Sequence, residues 1–214
     1  MNQLFSLESP LMRFLSKVAD CVILNLLWII GCIPIVTIGA STTAFYYVVT
    51  KVVRNDRGYV IREFWDSFKS NFKQSTIVWL IMMVVYLFIY FDCYYAYMLM
   101  QMGNLPKIAF WALLIIFSLV FMWSSYLLPY VARFKNTTKE ILKNSVFIMT
   151  RNILWSLQNF IIFVAAVVLI LLVPILLIAL PVICMILTSM SLERVFRKYM
   201  TKEDIELENI RNGK

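Results

Sequence analysis

Residues 152–192 carry no charged side chain, and this run is the feature that most limits what the chain can fold into. As one helix it would be about 60 Å long, twice the hydrocarbon core of a bilayer, which is about 30 Å thick. Pro174 and Pro181 lie within it and offer a place for the chain to turn. The run therefore predicts two transmembrane helices, at about 152–173 and 175–191.

Three further stretches are similarly apolar. Residues 108–131 and 75–98 each have the length of one span, the second with Asp92 as its only charged residue. Residues 21–50 are uncharged too, but they are long for one crossing and short for two. The chain is 62% hydrophobic and 15% charged, whereas a soluble domain carries roughly a quarter charged residues. We therefore predict a polytopic helical membrane protein.

Basic residues indicate how many times the first run crosses. They concentrate in residues 51–73, in residues 133–151 and after the last span, and such segments are expected in the cytoplasm. If the first run crosses twice, at about 14–33 and 37–54, the basic residues before it are cytoplasmic as well; one crossing would place them outside. We therefore predict an all-α fold with six transmembrane helices and both termini in the cytoplasm, with five spans as the alternative.

The predicted domain organisation is simple. Residues 1–192 form one multi-span membrane domain, and residues 193–214 form a cytoplasmic charged tail. Two cytoplasmic segments, 61–74 and 137–150, have apolar residues at helical spacing and predict amphipathic helices. Thr137 begins the second with the pattern of a capping box. These helices either lie along the inner leaflet or dock a cytoplasmic partner.

The first apolar run is interrupted at residues 32–47 by a proline, a glycine and a cluster of hydroxyl residues. Pro34 and Gly39 predict an outer turn between the first two spans. The hydroxyl residues are expected to cap the second helix. Small residues four positions apart are expected to let a neighbouring helix approach closely. The hydroxyl residues are Ser41, Thr42 and Thr43, and the small ones are Gly39, Ala40 and Ala44.

The same stretch raises the hypothesis of a ligand site. A helix N-terminus with hydroxyl groups would face outside, on the same side as Asp92 and the aromatic residues Tyr90 and Tyr94. The candidate ligand-binding residues are therefore Ser41, Thr42, Thr43, Tyr90, Asp92 and Tyr94. The alternative interpretation is that the hydroxyls serve helix packing and that the tyrosines belong to an interfacial aromatic belt.

Signals for catalysis, metals and nucleic acid are missing from the sequence. The chain has no histidine, and its four cysteines lie in apolar runs without CxxC spacing. No nucleophile or phosphate-binding motif is present. The net charge of +8 is explained by membrane topology rather than by nucleic-acid binding. We predict no enzymatic activity, no metal or cofactor, no nucleic-acid partner, and the lipid bilayer as the protein's environment.

Three segments of the sequence resemble the YesL family, also described as domain of unknown function 624. They read IPIVTIGASTTAFYY, VRNDRGYVIREFWDSFKSNFKQ and YLLPYVARF. The resemblance covers roughly residues 5–200. It implies an integral protein of the cell membrane of Gram-positive-type bacteria, often encoded beside carbohydrate importers and polysaccharide-degrading enzymes. It implies no catalytic or binding residues.

Two functions follow as expectations. The first is a non-enzymatic accessory or regulatory protein of a bacterial carbohydrate uptake system, in contact with importer subunits through helices 61–74 and 137–150. The alternative is a transporter or a membrane-embedded substrate-capture subunit for a sugar or another small polar solute.

The predicted topology can be tested at Ser6. A cysteine at this position, in a variant without the four native cysteines, should resist a membrane-impermeant maleimide in intact cells, because six spans place it in the cytoplasm. It should react after the cells are permeabilised. Labelling of intact cells would contradict six spans.

Overall fold

The computed structural model describes residues 10–55, 58–103 and 107–200, and within them the fold is all-helical, as predicted. The α-helices are α1 Pro10–Cys32, α2 Ile38–Val48, α3 Val60–Gln101, α4 Lys107–Arg133, α5 Thr138–Arg151, α6 Ile153–Leu172 and α7 Leu180–Arg197. Two 3-10 turns, Ile35–Thr37 and Pro174–Ile178, precede α2 and α7, and a π-helical turn, Val49–Val53, follows α2.

Five helical segments of the described residues are long and apolar enough to cross a membrane. They are Leu15–Cys32, Ile35–Val53, Val60–Gln101, Ile108–Arg133 and Ile153–Leu172. The multi-pass helical character is therefore confirmed, while six crossings stay a prediction because α7 is not among the five. This helix continues to Arg197, beyond the start of the predicted tail at residue 193. Residues 201–214 of that tail lie outside the described residues.

The first apolar run forms a hairpin of two helices. Its helix α1 ends at Cys32, and Pro34 is extended, with φ −77° and ψ 123°. Trp28 then pairs the two helices: its ring stacks on Phe45 at 5.3 Å, and its Nε1 donates a hydrogen bond to Thr42 at 3.2 Å. This arrangement supplies the two helices that a double crossing of the first run requires.

The hydroxyl residues of α2 do not cap it, contrary to the expectation from the sequence. Because the 3-10 turn leads directly into α2, the helix begins at Ile38, and Thr37 occupies the N-cap without a capping side-chain bond. The Thr37 hydroxyl instead donates to the Gly31 carbonyl at 2.7 Å. Ser41 lies inside the helix and donates to the Trp28 carbonyl at 3.1 Å. These hydroxyls therefore join helices to one another.

Gly39 lies inside α2 and allows a close approach to α3, as the small-residue spacing predicts, rather than forming the turn. A Cβ atom at this position would lie 2.5 Å from both the Ser75 carbonyl oxygen and Trp79 Cβ. One turn further on, Ser75 donates a hydrogen bond to the Thr43 hydroxyl at 2.9 Å. Ala40 and Ala44, on the same short helix, are completely buried. Small residues thus let α2 and α3 touch, as is common between membrane helices.

The two predicted amphipathic helices have different structures. Residues 61–74 are the first part of α3, a single helix of 42 residues that is about 63 Å long. The second segment is a separate helix, α5, and its capping box at Thr137 and Glu140 is confirmed. The Thr137 amide, which donates to the Glu140 carboxylate at 2.9 Å, lowers the pKa of Glu140. The ionised Glu140 carboxylate thus stabilises the folded helix through this hydrogen bond. That stabilisation is present at neutral pH and is lost as the pH falls through the lowered pKa.

The contact at Gly39 predicts a difference between two glycine substitutions. Gly39→Ala should lower the free energy of unfolding by about 1–3 kcal/mol, because the new methyl group meets a backbone carbonyl that cannot move aside. Gly31→Ala is the matched control, with a smaller loss expected: its methyl group meets Ser41 Oγ at 2.6 Å and Ser41 Cβ at 3.2 Å, and this hydroxyl, unlike a backbone carbonyl, can rotate at the cost of its bond to the Trp28 carbonyl. Thermal unfolding in detergent measures both. Equal or greater stability of Gly39→Ala would contradict the close contact.

Candidate functional site: a polar cavity at one end of the bundle

Four segments that are distant in sequence surround a cavity of about 1180 Å³, which we call the basal cavity. Its lining residues come from 46–55, 63–74, 131–136 and 190–197. These segments include the basic residues for which the sequence predicts a cytoplasmic location. They lie together at one end of the helix bundle, as a common side of the membrane requires.

One wall of the basal cavity is a polar stripe on α3. Its residues recur at the three- and four-residue spacing of one helix face: Glu63, Asp66, Ser67, Ser70, Asn71 and Gln74. Aromatic rings occupy another face of the same helix, where Phe68 packs against Trp65 and Phe72 with centroid distances of 5.5 Å. This first part of α3 is thus polar toward the cavity and aromatic away from it.

The π-helical turn after α2 forms a second wall. The Arg54 amide donates to the carbonyl of Val49, five residues earlier, at 3.1 Å, which widens the turn. Beside it, Lys51 Nζ contacts Glu63 Oε2 at 2.7 Å and ties this turn to α3. The Arg54 guanidinium donates to Ser189 Oγ on α7 at 3.3 Å. The turn therefore presents two basic side chains at the cavity.

A mostly buried charged group joins three helices at the cavity. Arg133 at the end of α4 lies 3.3 Å from Glu193 on α7, and their side chains are 15% and 12% exposed. The Tyr46 hydroxyl on α2 donates to the same carboxylate at 2.8 Å. Burying charges is costly unless they are paired and hydrogen-bonded, so each member of this group depends on the others.

The segment after α4 is fixed by amide groups. Gln74 on α3 donates to the Asn136 carbonyl, and Asn136 Nδ2 donates to the Tyr130 hydroxyl at 2.8 Å. Asn144 on α5 donates to the same hydroxyl at 3.1 Å. These bonds position Phe134, Lys135 and Asn136 at the rim of the cavity.

The composition of the lining determines what the basal cavity can do. Basic side chains outnumber acidic ones by six to three, and most of the other lining residues have hydroxyl or amide side chains. Ligand cavities typically have volumes of about 300–1,000 Å³, so this space has room for a sugar-sized molecule. Within the described residues no group of three or more His, Cys, Asp or Glu side chains could hold a metal ion. The arrangement is suited to hydrogen bonding and charge pairing with a solute.

The predicted ligand residues of α2 lie inside the bundle. Ser41 and Thr43 are completely buried. Thr43 donates to the Gly39 carbonyl and accepts from Ser75, while Thr42 accepts from Trp28. Their hydroxyls are engaged in contacts within and between helices.

The predicted ligand residues of α3 lie at its other end. Tyr90 and Tyr94 are 63% and 52% exposed. Asp92 is exposed too and lines a shallow apolar hollow of about 440 Å³ between α3 and α4. Since Asp92 follows Ser75 by 17 residues on one continuous helix, the two lie about 26 Å apart along it. The structure thus does not bring the predicted residues of α2 and α3 together, and their ligand role stays a prediction.

Sequence reasoning missed the basal cavity, although one signal for it was present. In residues 61–74, apolar residues at helical spacing with charged residues on the opposite face are typical of an amphipathic surface helix. The small polar residues at positions 67, 70, 71 and 74 also share one helix face. A second polar face on a helix that continues into a membrane span indicates contact with water or a polar partner.

These features define the class of the protein: an all-α, multi-pass membrane protein with a polar cavity at one end of its helix bundle. Residues 21–93 match the model of a family described as "Protein of unknown function, DUF624". The match confirms the predicted resemblance over this segment, which supplies two walls of the basal cavity. No curated protein and no solved structure matches the chain.

The group around Glu193 predicts a large loss of stability when one partner is removed. Arg133→Met should lower the free energy of unfolding by about 3–5 kcal/mol, because it leaves the Glu193 carboxylate buried without its cation. The double variant Arg133→Met/Glu193→Leu should recover part of that loss. Thermal unfolding of the unsubstituted protein, Arg133→Met, Glu193→Leu and the double variant gives the coupling free energy between the two residues.

An exposed ion pair provides the control. Arg62 and Asp66 lie 3.8 Å apart with side chains 79% and 66% exposed, so Arg62→Met should change stability by only about 0–1 kcal/mol. Strictly additive effects of the Arg133 and Glu193 substitutions would contradict the coupling.

Proposed function

We propose that this protein is a non-enzymatic membrane protein that binds a small polar solute in the basal cavity and acts as an accessory or regulatory component of a bacterial carbohydrate uptake system. The observation that carries the proposal is the lining of that cavity. Hydroxyl, amide and charged side chains from four segments face one space of about 1180 Å³.

Hydrogen-bonding capacity supports a polyhydroxylated solute. A sugar presents several hydroxyl groups that both donate and accept, and the cavity offers amide side chains that also do both, such as Asn71. The hydrogen bonds of Asn71 Nδ2 go to Ser67 and Ser70 on its own helix. A ligand can therefore replace these bonds without separating α3 from its neighbours.

The accessory role is supported by the two helices for which the sequence predicts cytoplasmic contacts. On α5, Val146 and Phe147 are 39% and 49% exposed. On the first part of α3, Ile61 and Trp65 are 54% and 38% exposed. These apolar side chains are available to importer subunits or to the inner leaflet, and the resemblance implies the carbohydrate context.

The alternative function is a transporter or substrate-capture subunit. It requires the same bound solute, but a transporter would also move that solute across the membrane. Uptake of radiolabelled solute into proteoliposomes that contain only this protein separates the two. Saturable uptake favours the transporter, whereas binding without uptake, together with co-purification of importer subunits from native membranes in mild detergent, favours the accessory role.

Solute binding can be tested by thermal unfolding of the purified protein with a panel of neutral sugars, sugar phosphates and sugar acids. A bound solute should raise the unfolding temperature as its concentration rises, since it stabilises the folded state. In Asn71→Leu the affinity should fall about three- to tenfold, because a hydrogen bond contributes about 0.5–1.5 kcal/mol.

Gln101→Leu is the matched control for this test. It also removes an amide from α3, but the Gln101 side chain donates only to Tyr97 on the same helix and lies outside the cavity. Tyr94→Ala tests the other end of α3. Loss of binding in Tyr94→Ala with full binding in Asn71→Leu would contradict the basal site, and the absence of any stabilising solute would contradict the proposed function.

A further inference from the structure

We propose that the solute of the basal cavity is anionic and that its negatively charged group, a phosphate or a carboxylate, contacts Arg54, Lys135 and Arg194. The inference rests on the proposed function and names the chemical class of the ligand. It starts from the distribution of charge around the cavity.

All three acidic side chains that line the cavity are already in ion pairs. Glu63 contacts Lys51 at 2.7 Å, and Glu193 contacts Arg133 at 3.3 Å. The third, Asp66, lies 3.8 Å from Arg62, a residue outside the lining. Lys51 and Arg133 belong to these ion pairs, whereas Arg54, Lys135 and Arg194 also line the cavity and add positive charge to it.

These basic residues are directed to the cavity from three sides. Arg54 directly follows the π-helical turn, Lys135 belongs to the segment after α4, and Arg194 lies on α7. All three are exposed, so their charges remain hydrated and can exchange water for a ligand. Arg194 also lies over the Trp155 ring at 5.6 Å, which restricts the position of its guanidinium group.

The surrounding structure increases the effect of this charge. The basic side chains converge on one cleft, so their fields add at a bound anion more than those of charges spread over a flat surface. Arginine forms two parallel hydrogen bonds to a phosphate or carboxylate. The α3 wall supplies hydroxyl and amide groups for the uncharged remainder of the ligand.

An anion of this kind has two sources: a dissolved metabolite such as a sugar phosphate, or the headgroup of an anionic lipid. Both present the same charged oxygen atoms to the basic residues. The hydroxyl and amide groups of the α3 wall favour a dissolved molecule with several hydroxyl groups, and the experiment includes an arm for each source.

The test uses the full chain in nanodiscs of phosphatidylcholine, with glucose, glucose 6-phosphate and inorganic phosphate as probes and sodium chloride of equal ionic strength as the reference. Glucose 6-phosphate should raise the unfolding temperature more than glucose, and phosphate more than chloride. Arg194→Gln and Lys135→Gln should each weaken the effect of glucose 6-phosphate about tenfold, the loss of one hydrogen bond to a charged group.

Arg151→Gln is the matched control for Arg194→Gln. Arg151 is also an exposed arginine over an aromatic ring, 5.0 Å from Phe147, but it lies outside the cavity. Its substitution should leave the effect of glucose 6-phosphate unchanged. Equal weakening by Arg151→Gln would overturn the assignment, because it would show a general effect of surface charge.

The remaining outcomes separate the two proposals. Equal effects of glucose and glucose 6-phosphate would overturn the anionic class and leave the proposed function standing. In phosphatidylglycerol nanodiscs the anionic headgroup competes with phosphate. If phosphate then no longer raises the unfolding temperature, and if this competition disappears in Arg194→Gln, the anion site is supported but its occupant is a lipid rather than the proposed solute. No effect of phosphate or glucose 6-phosphate beyond chloride would overturn the inference, and failure of every neutral sugar as well would overturn the proposed function.

Discussion

The contact of α2 with α3 at Gly39 is the interaction on which the rest of the structure depends. In a bilayer, lipid tails are as apolar as leucine, so helices associate through close packing and hydrogen bonds rather than through the hydrophobic effect. A glycine against the Ser75 carbonyl, followed by the hydrogen bond from Ser75 to Thr43, supplies both. Of the residues in the span that contains α2, 56% are buried inside the protein, against 22% or less in each of the other four candidate spans.

This central position explains the composition of α2. A helix surrounded by protein does not need a lipid-facing apolar surface, and its mean hydropathy of 1.2 is the lowest of the five candidate spans. Its hydroxyl groups can therefore serve the neighbouring helices, as Ser41 does with α1 and Thr43 with α3. Near the other end of α2, Tyr46 donates a hydrogen bond to Glu193 on α7. The same helix therefore packs in the interior of the bundle and positions a residue that lines the basal cavity.

The sequence was sufficient for the membrane class, the hairpin and the capping box at Thr137, because each depends on local composition or spacing. Both a turn and a close helix contact were predicted for Gly39, and the structure shows the contact; its partner, the Ser75 carbonyl on α3, could not be predicted, because local spacing does not indicate which helix lies opposite. The basal cavity was also beyond prediction, because its walls are separated by up to about 150 residues and meet only through tertiary contacts such as that of Arg133 with Glu193. The polar face of α3 was visible, but the aromatic face beside it gave the stronger pattern.

Membrane topology and ligand binding compete to explain the basic residues, and their positions separate the two explanations. Lys69, Lys73, Lys139 and Lys143 are exposed and do not line the cavity. They lie on the segments that topology requires to be basic, and charge anywhere on a short loop serves that purpose. The rule gives no reason for further basic residues to face one space, where like charges repel. An anion in that space would remove the repulsion, which makes the excess charge of the lining an argument for a ligand rather than for orientation alone.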